Sequence, residues 1–208
     1  MVLEAHRAIA DRFLLPVAER MRTVNPNHLS WAAFLVAAGA GLAFYVALPL
    51  WLLAAILLIF LNALLDALDG KVAKITGRAS PRGDFLDHVL DRYADILIIG
   101  GVALGGYGDL LVGFFAILGV LLSSYMGTQA QAVGLGRQYG GLLGRADRLV
   151  LLFAVAWVQL LADPSGRGFG IGGVSYTPLT WLLLVFAVVG QLTAIQRAVV
   201  SWRRLGVR

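Results

Sequence analysis

No cysteine occurs in the 208 residues, which excludes disulfides, zinc–thiolate sites and cysteine nucleophiles. Charge is scarce too: 14% of residues are Asp, Glu, Lys or Arg, against 59% hydrophobic, and mean hydropathy is +0.80. Soluble domains carry about a quarter charged residues, so a fully water-facing exterior is excluded. The N-terminal stretch lacks an uninterrupted apolar core followed by a small-residue cleavage site, and does not read as a signal peptide. An aromatic-interleaved basic patch is missing as well, so nucleic acid is not an expected partner.

What is present is apolar and segmented. A membrane-spanning helix needs about 20 largely apolar residues, and such stretches lie at about 29–47, 50–72, 85–105, 109–133, 147–162 and 178–199. The expected fold class is all-α: a polytopic membrane protein with six transmembrane helices and an N-terminal amphipathic interfacial helix. Residues 1–208 form a single domain in this reading, with a juxtamembrane helix over 1–24, the six-helix bundle over 25–200 and a basic tail over 201–208. Phe13, Leu14, Leu15 and Val17 of the first helix are expected to face lipid, its arginines the headgroups. Ser30 or Asn27 is the expected cap of the first span. Segment 75–84 reads as a polar turn, and 163–177 as a longer glycine-rich loop.

Arginine and lysine set the orientation. Six spans with an inward N-terminus put Arg167 alone outside; every other lysine and arginine falls in the N-terminal arm, 71–92, 137–148 or 197–208. That asymmetry follows the positive-inside rule. It predicts a multi-pass protein of the cell membrane with both termini and any site at Asp66–Asp91 on the cytoplasmic side, and a net charge of +5 that meets anionic membrane lipid.

Four carboxylates then stand out at the inward ends of the second and third spans. Asp66 and Asp69 are three apart and Asp87 and Asp91 four apart, so each pair shares one helix face. A short turn brings the faces together, and four like charges at close range repel unless cations sit among them. An all-oxygen set suits two ions of Mg²⁺ or Mn²⁺ rather than zinc. Metals of that kind serve phosphoryl transfer, with one carboxylate left to take a proton; Asp91, last on its face, is the candidate base. Gly70, Ala73 and Gly83 leave room for a nucleotide beside the metals. From the residues alone, a metal-dependent enzyme, an ion transporter and a solvated structural face all remain open.

Over Asp66–Asp91 the chain resembles the CDP-alcohol phosphotransferase family, whose signature is D-x2-D-G-x2-A-R-x8-G-x3-D-x3-D. Asp66, Asp69, Gly70, Ala73, Gly83, Asp87 and Asp91 meet it at every spacing, and Lys74 stands at the arginine position. The resemblance implies attack of an alcohol hydroxyl on the β-phosphorus of a CDP-linked lipid, either CDP-diacylglycerol or CDP-archaeol, with release of CMP. It also implies that Asp66, Asp69, Asp87 and Asp91 hold the metal pair, with Asp91 as base. Asp66, Asp69, Gly70, Ala73, Lys74 and Gly83 would flank the nucleotide, and the family likeness implies a homodimer.

Ser123, Ser124, Tyr125, Thr128, Gln129 and Gln131 make a polar seam at the end of the fourth span, followed by Arg137, Arg145 and Arg148. Three arginines beside a diphosphate suit an acceptor that is itself phosphorylated. Ser124, Tyr125, Ala130, Ala132, Gly134, Gly141, Arg145 and Arg148 resemble the inositol-phosphate-using branch, although Gln129 replaces an arginine and Gly127 a frequently basic position. A phosphorylated polyol, myo-inositol 1-phosphate ahead of glycerol 3-phosphate, is the acceptor this implies. Asp84 is an expected helix cap, and Asp95 an expected buried partner of a basic group. His88 points about 100° from Asp87 around the helix and reads as a polar contact rather than a metal ligand.

Overall fold

Prolines open four of the helices at their first residue, where the missing N–H costs nothing. The computed structural model describes residues 7–136, 141–171 and 174–206. Among these are seven helices: α1 (Arg7–Arg20), α2 (Pro26–Val46), α3 (Pro49–Ile75), α4 (Pro81–Leu104), α5 (Leu110–Ala132), α6 (Arg145–Ala162) and α7 (Pro178–Leu205). Four of them, α2, α3, α5 and α7, are long and apolar enough to cross a membrane.

Local chemistry moves several expected boundaries. Asn25, rather than Asn27 or Ser30, caps α2, its side chain accepting the amide of Asn27 at 3.0 Å. Ser80, rather than Asp84, caps α4 by accepting the amide of Gly83 at 3.2 Å. Asp84 sits in the first turn and faces His88 instead. The turn between α3 and α4 thus shortens to 76–80. Beyond the expected end at 199, α7 continues through Arg203 and Arg204, whose charges suit the negative end of the helix dipole.

In α1, Phe13, Leu15 and Val17 are exposed as expected, but Leu14 packs inward with Ala18 against Leu68 and Val72 of α3. The first helix is therefore attached to the helix that carries Asp66 and Asp69. Helix α2 lies along both α3 and α4, whereas α3 and α4 barely touch. Their facing sides are left free for polar groups.

Glycine permits the closest crossings. A Cβ on Gly101 of α4 would stand 2.0 Å from the Gly41 carbonyl oxygen of α2, and one on Gly190 of α7 would stand 2.7 Å from the Gly119 carbonyl carbon of α5. These backbones meet as small-residue seams between membrane helices do. The seams are internal, so the implied dimer draws no support from these glycines.

The segment 163–177 is more ordered than a loop. Phe169–Ile171 (β1) and Val174–Tyr176 (β2) pair antiparallel, Phe169 opposite Tyr176. Asp163 fixes the approach to this hairpin, its carboxylate accepting the amides of Arg167 and Gly168 at 2.9 and 2.8 Å. Tyr107 donates to the Pro164 carbonyl at 3.0 Å, and Thr180 donates to the Tyr107 carbonyl at 2.8 Å. This network lies past the C-terminus of α4, at the opposite end of that helix from Asp87 and Asp91.

Candidate active site

The last third of α3 and the first turns of α4 face each other across the gap bridged by α2. One carboxylate oxygen each of Asp66, Asp69 and Asp87 lies within 4.8 Å of the others. At about that separation two full charges repel by roughly 3 kcal/mol at an effective dielectric near 20, so three together call for a cation. The donor set is entirely oxygen and opens onto a cavity, which fits a hard divalent ion. Asp69 is buried and accepts the Ser30 hydroxyl of α2 at 2.5 Å, a contact that fixes its rotamer.

Asp91 is drawn into a different set of partners. Arg145, the first residue of α6, places Nη1 2.6 Å from Asp66 Oδ2 and Nη2 2.9 Å from Asp91 Oδ1. Its fork therefore spans the gap between α3 and α4, where a guanidinium suits two carboxylates better than an ammonium would. Arg92 stands 3.5 Å from Asp91 and 3.8 Å from Asp95, and Arg148 pairs with Asp95 at 2.8 Å. Asp95 is thus the buried partner of a basic group, as its position implied. Arg145 and Arg148, expected on acceptor phosphate, contact carboxylates directly; Arg137 lies outside the described residues.

Two cavities flank the aspartates. One, of about 580 Å³, is lined by Asp69, Gly70, Ala73, Lys74, Gly83 and Asp87. A Cβ at Gly70 would meet nothing within 4 Å, so its bare side is open to that space. The other, of about 660 Å³, is lined by Asp91, Arg92, Ser124, Arg145, Arg148 and Arg197. A smaller pocket lined by Asn62, Asp66, Asp87, Asp91 and Arg145 shares Asp87 with the first cavity and Asp91 and Arg145 with the second. Asn62 donates to the Ala33 carbonyl at 2.9 Å, stapling α3 to α2 beneath the carboxylates. In the polar seam of α5, Ser123 is buried and Ser124 reaches the second cavity, whereas Tyr125, Thr128, Gln129 and Gln131 are exposed.

Residues 23–200 match the family model described as CDP-alcohol phosphatidyltransferase. The chain belongs to that family. Archaetidylinositol phosphate synthase of Methanothermobacter thermautotrophicus is 32% identical over 204 residues, covering 98% of this chain and 96% of the relative. Phosphatidylinositol phosphate synthase of Streptomyces avermitilis is 31% identical over 206 residues, covering 95% and 81%. The crystal structure of Mycobacterium tuberculosis phosphatidylinositol phosphate synthase with CDP-DAG bound superposes with a TM-score of 0.74 at 22% identity, over 92% of this chain and 94% of that one. A structure of the same mycobacterial enzyme in complex with manganese and citrate gives 0.74 at 22%, over 91% and 88%.

Membership makes this CDP-alcohol phosphatidyltransferase a metal-dependent membrane transferase. Sequence reasoning missed Ser30, Asn62, Arg92 and Arg197 around its carboxylates. Arg197 had a signal: it is the only charged residue between Pro178 and Trp202, and a charge inside an apolar span marks a site by default. Ser30 and Asn62 had none, because each acts through a helix crossing, whereas Arg92 pairs within α4 and stood one and three residues from Asp91 and Asp95 in the sequence.

Proposed function

We propose that this CDP-alcohol phosphatidyltransferase moves the lipid-phosphate group of CDP-diacylglycerol or CDP-archaeol to a phosphorylated polyol, myo-inositol 1-phosphate, and releases CMP. The observation that carries the reading is the division of the site: a small-residue cavity and an arginine-lined cavity lie on opposite sides of one carboxylate array. The names of the relatives agree with it, since the archaeal and streptomycete proteins are inositol phosphate synthases.

The nucleotide lies beside Gly70, Ala73 and Gly83, with Lys74 on the rim supplying charge to phosphate. Asp66, Asp69, Asp87 and Asp91 would hold two ions of Mg²⁺ or Mn²⁺, which would supply the positive charge that offsets the diphosphate and the departing CMP. Arg148 and Arg197, with Arg145 at the junction, hold the acceptor phosphate in the second cavity, and Arg137, which lies outside the described residues, is assigned to the same phosphate from the sequence alone. The acceptor hydroxyl then attacks the β-phosphorus, its proton passes to Asp91, and the bond to CMP breaks. Arg145 and Arg92 fix the orientation of Asp91 from two sides.

In this reading α4 and α6 also cross the membrane, giving six spans. The 24 residues of α4 rise about 36 Å, and its deep charges, Asp91 and Asp95, are buried against protein rather than lipid. In the same reading α1 lies at the interface, and the positive-inside distribution of lysine and arginine in the sequence supports a cytoplasmic site and cytoplasmic termini.

A CMP-release assay with Mn²⁺ and each acceptor in turn tests the assignment. Turnover with inositol 1-phosphate, and none with free inositol or serine, is expected. Turnover with glycerol 3-phosphate alone would move the acceptor class, and activity with a neutral acceptor only would overturn the role given to the arginines.

A further inference from the structure

Asp95 has no part in the mechanism above, although it stands one turn beyond Asp91 on the same face of α4. It belongs to no cluster of ligand atoms that could share a metal ion among the described residues. What it touches is arginine. Arg148 of α6 places Nη2 2.8 Å from Asp95 Oδ2, Arg92 of α4 places Nη2 3.8 Å from the same oxygen, and Arg145 places Nε 4.0 Å from Oδ1. Asp95 is 6% exposed and Arg148 4%, so water does little to offset either charge.

The same three arginines line the second cavity from α4 and α6. Like charges this close repel, and a guanidinium free to turn away from its neighbours does so. A buried carboxylate among them removes that freedom. For Arg148 it is the sole ion pair among the described residues, and the bond uses one of several N–H donors that a guanidinium offers. The Nε–H groups of Arg92, Arg145 and Arg148 are buried with no acceptor among the described residues. Buried donors nearly always have partners, so three without one, on side chains around a single cavity, mark a place for a ligand rich in acceptor oxygens.

We propose that Asp95 is a positioning residue for the acceptor: it anchors Arg92 and Arg148, and steadies Arg145, in the arrangement from which their remaining donors meet the acceptor phosphate. The inference rests on the phosphorylated-acceptor reading above and deepens it. Successive turns of α4 then divide the work, with Asp91 taking the proton and Asp95 shaping the anion site.

Steady-state kinetics of Asp95→Asn in the full-length protein, with Mn²⁺ saturating, test this with inositol 1-phosphate or whichever phosphorylated acceptor the unmutated protein turns over. The amide keeps the size of the carboxylate but loses the charge that holds the guanidiniums. KM for the acceptor is expected to rise roughly 10- to 100-fold, the loss of a hydrogen bond to a charged group, while kcat and KM for the CDP-lipid stay within a few-fold. Because the effect passes largely through Arg148, adding Asp95→Asn to Arg148→Met should raise the acceptor KM little further. If Asp95→Asn fails to fold, Asp95→Glu keeps the charge and shifts the carboxylate by one methylene; the acceptor KM should then rise by less, again with that for the CDP-lipid unmoved. An acceptor KM that is unchanged or lower, an equal rise in KM for the CDP-lipid, or effects that add fully in the double variant would overturn the role of Asp95 and leave the phosphorylated-acceptor reading standing. An unmutated protein that turns over neutral acceptors only would overturn both.

Discussion

Asp91→Asn is expected to lower CMP release by about 10²- to 10⁴-fold, the range lost when a positioned proton acceptor is removed. The amide keeps the shape of the carboxylate and can still accept a hydrogen bond from Arg145, which reaches Asp91 at 2.9 Å. It cannot take the proton of the attacking hydroxyl. With Mn²⁺ kept saturating to offset the loss of one carboxylate ligand, and because the nucleotide cavity is lined by Gly70, Ala73 and Gly83 rather than by Asp91, binding of the CDP-lipid should change far less than turnover. Steady-state kinetics separate the two: the fall belongs in kcat, with KM for CDP-lipid within a few-fold. An equal loss in lipid affinity would show that Asp91 serves binding rather than proton transfer.

Chelation is the second large effect. Removing divalent ions with EDTA is expected to take CMP release to background, and Mn²⁺ or Mg²⁺ should restore it. A ligand that binds only the folded state at 100-fold above its Kd stabilises it by about 2.7 kcal/mol, so the same titration should raise the melting temperature. The chelated protein is nonetheless expected to stay folded. Arg145 already bridges Asp66 and Asp91, at 2.6 and 2.9 Å, and offsets much of the repulsion across the gap. Arg145→Ala should make folding depend on the metal, which differential scanning fluorimetry with and without EDTA would show. A variant equally stable in both conditions would mean that the carboxylates do not strain the gap.

The pairing of Asp66 with Asp69 and of Asp87 with Asp91 was legible because helix periodicity converts spacings of three and four directly into shared faces. Proximity of the two faces followed from the shortness of the turn between them. The place of Arg145 was not legible. Its sequence neighbours suggest a basic loop, and only the packing of α6 against α3 swings it over Asp66. Ser30 was read for its capping chemistry, yet it faces Asp69 because α2 begins four residues earlier, at Pro26. The hairpin at Phe169–Tyr176 escaped notice since its strands have three residues each, too few for alternation to register. Helix ends were read short wherever charge entered, as at Ile75 and Leu205, because hydropathy follows the membrane while hydrogen bonding carries a helix past it.

Crystals grown with Mn²⁺ and CDP, with anomalous scattering recorded at the manganese edge, test the central claim most directly. Two manganese peaks are expected between α3 and α4, one among Asp66, Asp69 and Asp87 and the other beside Asp87 and Asp91, with cytidine against Gly70 and Gly83. Peaks on any other face of the bundle, or CDP bound in the arginine cavity with no metal at the aspartates, would contradict it.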